Sequence, residues 1–158
     1  MTLAFAVFAL AISVLLGGKV KRLWDLDFRR LPWMLASFLV RDVSERIFDV
    51  APPEIWQSAL VALASYGLLF YGIFPNLSIP GIWAVGLGSF LNFIVIVANG
   101  ARMPVSIANL AAHDQAREIA RLSTSINHCL LTEQTRLPFL SDIFTWRFLQ
   151  SSMFSVGD

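Results

Sequence analysis

The sequence predicts an all-α integral membrane protein: about four transmembrane helices, followed by a C-terminal amphipathic interfacial helix and an irregular tail. Three observations predict it. Four apolar runs precede residue 99. Charged residues make up 15% of the chain, against about 25% in a soluble domain, and mean hydropathy is +0.65. Aromatic residues are plentiful, with 13 Phe and 5 Trp, and such residues favour lipid-facing surfaces and membrane interfaces. The expected division is a transmembrane helical domain over residues 1–103 and an interfacial helix with an aromatic-rich tail over residues 104–158.

The first apolar segment covers residues 3–16, or 2–18 with its flanks. That is near the short limit of about 17 residues for a spanning helix. Gly17-Gly18 is a natural helix stop. Lys19, Lys21 and Arg22 follow the run rather than precede it, so the segment reads as a retained helix and not a signal peptide. Residues 19–30 interleave five basic side chains with Trp24 and Phe28, as an interfacial stretch does. Segment two opens at Leu31-Pro32-Trp33, with Pro32 suited to a first helical turn. It stays apolar or small as far as Val40, then carries Arg41, Asp42, Glu45, Arg46 and Asp49. A continued helix pairs Arg41 with Glu45 and Asp42 with Arg46 at i,i+4. Those charges form either a buried functional network or a headgroup-level helix end with Arg41 and Arg46 snorkelling.

Segment three, residues 55–74, places Ser58, Ala62, Ser65 and Gly72 near one helical face, where small residues permit close helix approach. Tyr66 and Tyr71 offer hydroxyls. The short linker at residues 75–79 requires an antiparallel hairpin with segment four. Segment four, residues 80–98, has its own stripe of Gly81, Ala84, Gly88, Asn92 and Asn99. Amides within an apolar helix must face protein rather than lipid. They either join segments three and four or meet a ligand headgroup or partner subunit. Gly100 allows a backbone turn that a Cβ resists, and Pro104 is read as opening a helix. The octet from Asn99 to Ser106 is therefore expected to convert a membrane helix into a surface element. Residues 104–122 then read as an amphipathic helix, with Ala108, Ala112, Ala116 and Ile119 on one side and His113, Arg117 and Arg121 as a polar ridge. Residues 123–158 read as irregular.

Charge and motifs bound the chemistry. A net charge of +1 gives no basis for nucleic-acid binding. The single Cys129 excludes an internal disulfide and a cysteine metal cluster. No phosphate loop, zinc motif or nucleophile elbow is present. His113 and His128 lack the spacing of a metal site. Asp142, Asp158 and the two histidines are the acid–base candidates, and their spacing suggests no site. The expectation is a protein that is not an enzyme and carries no cofactor or metal. The contact candidates for a partner or headgroup are Asn92, Asn99, Arg102, Arg41, Asp42, Glu45 and Arg46.

Two stretches carry a family resemblance: Leu16-Gly17-Gly18-Lys19-Val20-Lys21-Arg22-Leu23, and residues 91–106 with their Asn99-Gly100-Ala101-Arg102-Met103-Pro104-Val105 core. Leu137-Pro138-Phe139-Leu140-Ser141-Asp142-Ile143-Phe144 and Phe154-Ser155-Val156-Gly157-Asp158 extend it. The chain resembles a bacterial membrane-protein family of unknown function, DUF5317, over nearly its whole length. Ala101 stands where that pattern has a second glycine. The pattern also continues past its glycine–aspartate into another apolar helix, so either that helix is absent here or the chain continues beyond Asp158. The resemblance implies a multi-spanning membrane protein and brings no activity, substrate or catalytic residue.

The positive-inside rule places the basic cluster after segment one in the cytoplasm. The expected setting is the bacterial cytoplasmic (inner) membrane, multi-pass, with the N-terminus and the tail on the outer side. Small size, two small-residue stripes and the lack of a catalytic constellation suggest a non-catalytic accessory subunit of a larger membrane complex, of electron-transfer, respiratory or photosynthetic kind. Its partners would be other membrane subunits and membrane lipids. The alternative is a small-molecule, lipid or quinone-binding membrane module or a small transporter.

Overall fold

The first described helix, α1 (Leu31–Phe48), follows a turn in which Arg30 takes φ 57°. Pro32 fits its first turn because that backbone position has no helical acceptor for an N–H. The structure is a computed structural model and describes residues 26–48, 52–146 and 152–158. Segment one, Lys19, Lys21, Arg22, Trp24 and Asp49 lie outside the described residues.

Helix α2 (Ile55–Ile73) starts on a reciprocal cap after Pro52-Pro53. The Glu54 side chain accepts from the Gln57 backbone, and Gln57 Oε1 accepts from Glu54 N at 2.8 Å. This satisfies two donors that a helix start otherwise leaves orphaned. The helix runs into a 3-10 turn at Phe74–Asn76, where Pro75 intervenes. Asn76 fastens that turn: its Nδ2 donates to Gly72 O at 2.7 Å and to Arg29 O at 2.6 Å, and its Oδ1 accepts from Arg29 N at 2.8 Å. The end of α2 is thus tied to the chain entering α1. Helix α3 (Ile82–Ala98) begins after Gly81, whose φ of 90° suits glycine.

Among the described residues, one helical stretch, Ile55–Asn76, is long and apolar enough to cross a membrane, and Ile82–Ala98 is a shorter apolar helix. Of segments two to four, segment three alone gives a helix that meets this length and composition. The 17 residues of α3 rise about 26 Å, less than the ~30 Å of a typical hydrocarbon core. Helix α1 carries Arg41, Asp42, Glu45 and Arg46 within its length.

Both neighbours pack on α2 in antiparallel fashion. Gly72 faces Met34 while Tyr66 faces Arg41, and Ile73 faces Gly86 while Tyr66 faces Phe93. The small stripe of α2 is buried at Ser58, Ala62, Ser65 and Gly72. At Gly72 a Cβ would collide with Met34 Cγ, so glycine sets the α1–α2 approach. Ala62, Tyr66, Val95, Ile96 and Met103 form the core. The Tyr66 and Phe93 rings sit 5.2 Å apart, within the range of favourable aromatic pairs. Large apolar side chains stay exposed on all three helices, among them Phe38, Leu39, Leu60, Leu63, Trp83 and Leu87.

After α3 the chain turns on Gly100 at φ 69° and Ala101 at φ 64°. The expected corner is there, but Pro104 does not open a helix. It lies in β1 (Met103–Val105), which pairs in parallel with β2 (His128–Leu130). A proline tolerates this place because its missing N–H removes no needed bond, while its carbonyl accepts from Asp142 N at 3.0 Å. Val105 also bridges Asp142. The amphipathic helix, α4, spans Ala112–Thr124, so the expected start at residue 104 is too early. The C-terminal part is also less irregular than the sequence suggests: a 3-10 turn at Pro138–Leu140 precedes β3 (Phe144–Trp146), which pairs antiparallel with β4 (Ser152–Phe154).

Candidate functional site: a chamber between helices and tail

The antiparallel packing of α1 and α3 on α2 leaves a chamber of about 890 Å³. Phe38, Leu69, Val85 and Ile96 give it apolar walls. Arg41, Tyr66, Asn92, His128 and Asp142 contribute polar groups, and residues 153–158 close one side. The three helices, β2, the Asp142 bridge and the C-terminal segment therefore meet around it.

Arg41 projects from α1 with its guanidinium 5.5 Å from the centre of the Tyr66 ring. Among the described residues no carboxylate lies within 4.0 Å of it. Its expected i,i+4 partner, Glu45, is engaged elsewhere. The Glu45 carboxylate accepts from Ser125 Oγ at 2.6 Å and from Asn127 Nδ2 at 2.8 Å, with Arg121 at 3.8 Å. Asn127 Nδ2 also donates to Arg41 O at 3.0 Å. The second expected pair forms, Arg46 with Asp42 at 3.0 Å, and lies exposed outside the chamber. The expected Arg41–Glu45 pair does not form, and the four charged residues divide into a surface pair, a clamp on the Ser125–Asn127 loop, and an arginine facing the chamber.

That clamp positions His128 at the start of β2. The His128 backbone N–H donates to Ser125 Oγ at 3.0 Å. Burial, reinforced by the charges of Arg41 and Arg121, pushes the His128 imidazole down to about 3, so the ring is neutral. Asp142 reaches the same chamber through the bridge to β1. Its N donates to Pro104 O and its carbonyl accepts from Ser106 N at 2.9 Å. The residue is 9% exposed, and its carboxyl has no hydrogen bond among the described residues. Burial, followed by the nearby Asp158, pushes it up to about 7 against the opposing charges of Arg41 and Arg121.

The two amides of α3 have partners other than those the sequence suggests. Asn92 Nδ2 donates to Asp158 Oδ1 at 3.0 Å, and Ser155 Oγ donates to Asn92 Oδ1 at 2.8 Å. Asn99 Nδ2 donates to Val95 O and Arg136 O, each at 2.8 Å, and Arg136 N donates back to Asn99 Oδ1 at 2.8 Å. The amides hold the C-terminal third of the chain on α3 and do not join α3 to α2. Gly88 belongs to this arrangement, since a Cβ there would meet the Gly157 carbonyl oxygen.

Of the sequence-predicted contact residues, Arg41 and Asn92 line the chamber. Asn99, Asp42, Glu45 and Arg46 do not, and Arg102 lies half-buried beside Cys129. Tyr66, His128 and Asp142 complete the polar end. Their sequence signal is faint, because His128 and Asp142 arrive through strands of three residues or fewer. The arrangement can bind a molecule that offers both an acceptor and a donor. No group of three His, Cys, Asp or Glu side chains that could hold a metal occurs among the described residues.

The sequence pattern of a family of unknown function, DUF5317, matches residues 25–158. No curated protein and no solved structure matches the chain.

Proposed function

The chain belongs to the DUF5317 family of unknown function, and from the chamber we infer a non-catalytic membrane module that holds one amphipathic ligand. One observation carries this reading: an apolar chamber of about 890 Å³ has Arg41 and Asp142 at its polar end, neither with an ion-pair partner among the described residues. The volume falls in the range of about 300–1,000 Å³ that small-ligand pockets occupy. A ligand that offers an acceptor to Arg41 and a donor to Asp142 makes charge-assisted hydrogen bonds, each contributing about 1.5–3 kcal/mol.

The proposed setting is the bacterial cytoplasmic membrane, with several spanning helices and with the N-terminus and tail outside. It draws on the apolar side chains exposed along α1, α2 and α3. A short helix such as α3 is accommodated by local bilayer thinning. The same apolar surface favours a second reading, an accessory subunit docked in a larger membrane complex. Mild detergent extraction from native membrane followed by native mass spectrometry separates the two. A chain carrying one extra mass of lipid or small-molecule size supports the binding module. Migration only within a larger assembly supports the accessory subunit. A bare monomer refutes both. In the first case Ser89→Phe, which adds a ring at the chamber wall, should remove the extra mass.

A further inference from the structure

We propose that the polar end of the chamber takes a zwitterionic headgroup carrying a primary amine, with its anionic group against Arg41 and Tyr66 and its amine against Asp142. The proposal rests on the binding-module reading and adds the chemical class of the ligand.

Three observations lead to it. Arg41 presents only donors to the chamber, and Glu45, the residue that would neutralise it, is engaged by Ser125 and Asn127. An anionic acceptor is the complement that Arg41 lacks. Asp142 is nine-tenths buried and lines the chamber without a hydrogen bond among the described residues. Its backbone is held on both sides by β1 and Ser106, so the carboxyl stays at the chamber and wants a donor. Asp158 does not share this need, because Asn92 and Ser155 already donate to it.

The charge count selects among ligands. The described lining holds one cation, Arg41, and the Asp158 carboxylate, while His128 is neutral. Asp142 is about half ionised near neutral pH and becomes fully a carboxylate when a cation sits beside it. A purely anionic headgroup would meet Arg41 but face the Asp158 carboxylate and bring no cation to Asp142. A purely cationic one would meet the carboxylates but face Arg41. A quinone offers acceptors to Arg41 and Tyr66 and leaves Asp142 without a donor. A phosphoethanolamine-type headgroup complements both ends, and its acyl chains match the walls formed by Phe38, Leu69, Val85 and Ile96.

The test uses the full chain, delipidated in detergent, with dioleoyl phosphatidylethanolamine, phosphatidylcholine and phosphatidylglycerol as probes in native mass spectrometry. Free phosphoethanolamine serves as the soluble probe. The amine-bearing lipid should bind about tenfold more tightly than the other two, the worth of one charge-assisted hydrogen bond. Asp142→Asn should reduce it to the phosphatidylcholine level, and Arg41→Gln should weaken all three lipids; thermal melts confirm that both variants fold. Free phosphoethanolamine binding as tightly as the lipid supports the headgroup assignment with a soluble source. Phosphatidylglycerol binding as well as the amine-bearing lipid, or an unchanged preference in Asp142→Asn, overturns the proposal and leaves the chamber reading intact. Lipid binding that Ser89→Phe leaves untouched overturns both.

Discussion

Replacing Asn92 by leucine should release the C-terminal segment from α3 without unfolding the helices. Leucine has the same four side-chain heavy atoms and Cγ branch as asparagine and keeps the 9%-exposed site filled, but it removes both polar contacts. The bond from Ser155 Oγ to Asn92 Oδ1 at 2.8 Å is buried and contributes about 1 kcal/mol net. The bond from Asn92 Nδ2 to Asp158 Oδ1 at 3.0 Å ends on an exposed residue, so solvent screening holds it to about 1 kcal/mol as well. Ser155 loses one acceptor yet keeps Asp158 Oδ2 at 3.0 Å, so no penalty for an orphaned hydroxyl is added. The sum is about 2 kcal/mol, or roughly a 30-fold rise in the undocked population at 1.4 kcal/mol per tenfold.

Hydrogen exchange reads this directly. The Ser155 amide donates to Asp158 Oδ2 at 2.8 Å and the Gly157 amide donates to Ser155 Oγ at 3.2 Å, so both exchange when the segment opens. Their exchange should accelerate about 30-fold in Asn92→Leu, with the α2 amides unchanged. Gly88→Val should reproduce the effect without touching the amide, because its Cβ would meet the Gly157 carbonyl. Exchange unchanged in both variants, or an equal acceleration throughout α2 and α3, would refute the docking argument.

Gly72→Ala should lower the detergent melting temperature, since overpacking against Met34 costs about 1–3 kcal/mol; adding Met34→Ala should restore part of the loss, and strictly additive losses would contradict the contact. The corner should respond in opposite directions: Gly100→Val destabilises at φ 69°, whereas Ala101→Gly relieves about 1 kcal/mol at φ 64° and keeps a gain of a few tenths after the added unfolded-chain entropy. Equal losses in the two melts would count against this geometry. Two buried groups set opposing pH slopes. The native state keeps the Asp142 proton that an unfolded chain releases between the usual 3.8 and about 7, so this group's stability is present at low pH and lost as pH rises. The native state refuses the His128 proton that an unfolded chain accepts between the usual 6.5 and about 3, so that group's stability is present at high pH and lost as pH falls. Asp142→Asn removes the first slope, and its melting temperature should rise with pH from about 4 to 6.5 more steeply than that of the parent; parallel profiles would contradict the assignment.

Helices α2 and α3 were readable because proline marks their limits and long apolar runs fill them. Pro53 precedes the cap at Glu54, Pro75 ends α2, and Pro80-Gly81 introduces α3. The burial of Ser58, Ala62, Ser65 and Gly72 follows from the close approach that small side chains allow. The strands were not readable. Three residues give no usable alternation, and the pairing of Met103–Val105 with His128–Leu130 is decided by contacts distant in sequence. Pro104 is equally at home in a first helical turn and at a place in a strand that needs no donor, and only the pairing distinguishes them. The same limit applies to the chamber. Arg41 and Asn92 stand out in sequence because they interrupt apolar runs, but His128 and Asp142 join them only through that sheet.

The rule that an amide in an apolar helix must face protein held for Asn92 and Asn99, while its extension to the adjacent helix did not. Helix α2 presents the ring of Tyr66 and small residues towards its neighbours, and Ser65 Oγ back-bonds to its own helix at Ala62 O, 3.1 Å away. Its Ser58 hydroxyl is buried without a partner among the described residues, but it stands beyond Ala62 and Tyr66 towards the start of α2. The non-helical tail has more: the Ser155 and Asp158 side chains for Asn92, and for Asn99 the Arg136 backbone, whose groups lie outside regular pairing. Asn92 and Asn99 stand two turns apart on α3, about 10 Å along its axis, and each meets a different segment: the Ser155–Asp158 end and the Arg136 backbone. Helix α3 therefore serves as a template that sets where the C-terminal third lies. Because Asp142 sits between those two attachment points in sequence, the polar end of the chamber depends on both. Weakening either amide should loosen the ligand site even though Asn99 never touches it.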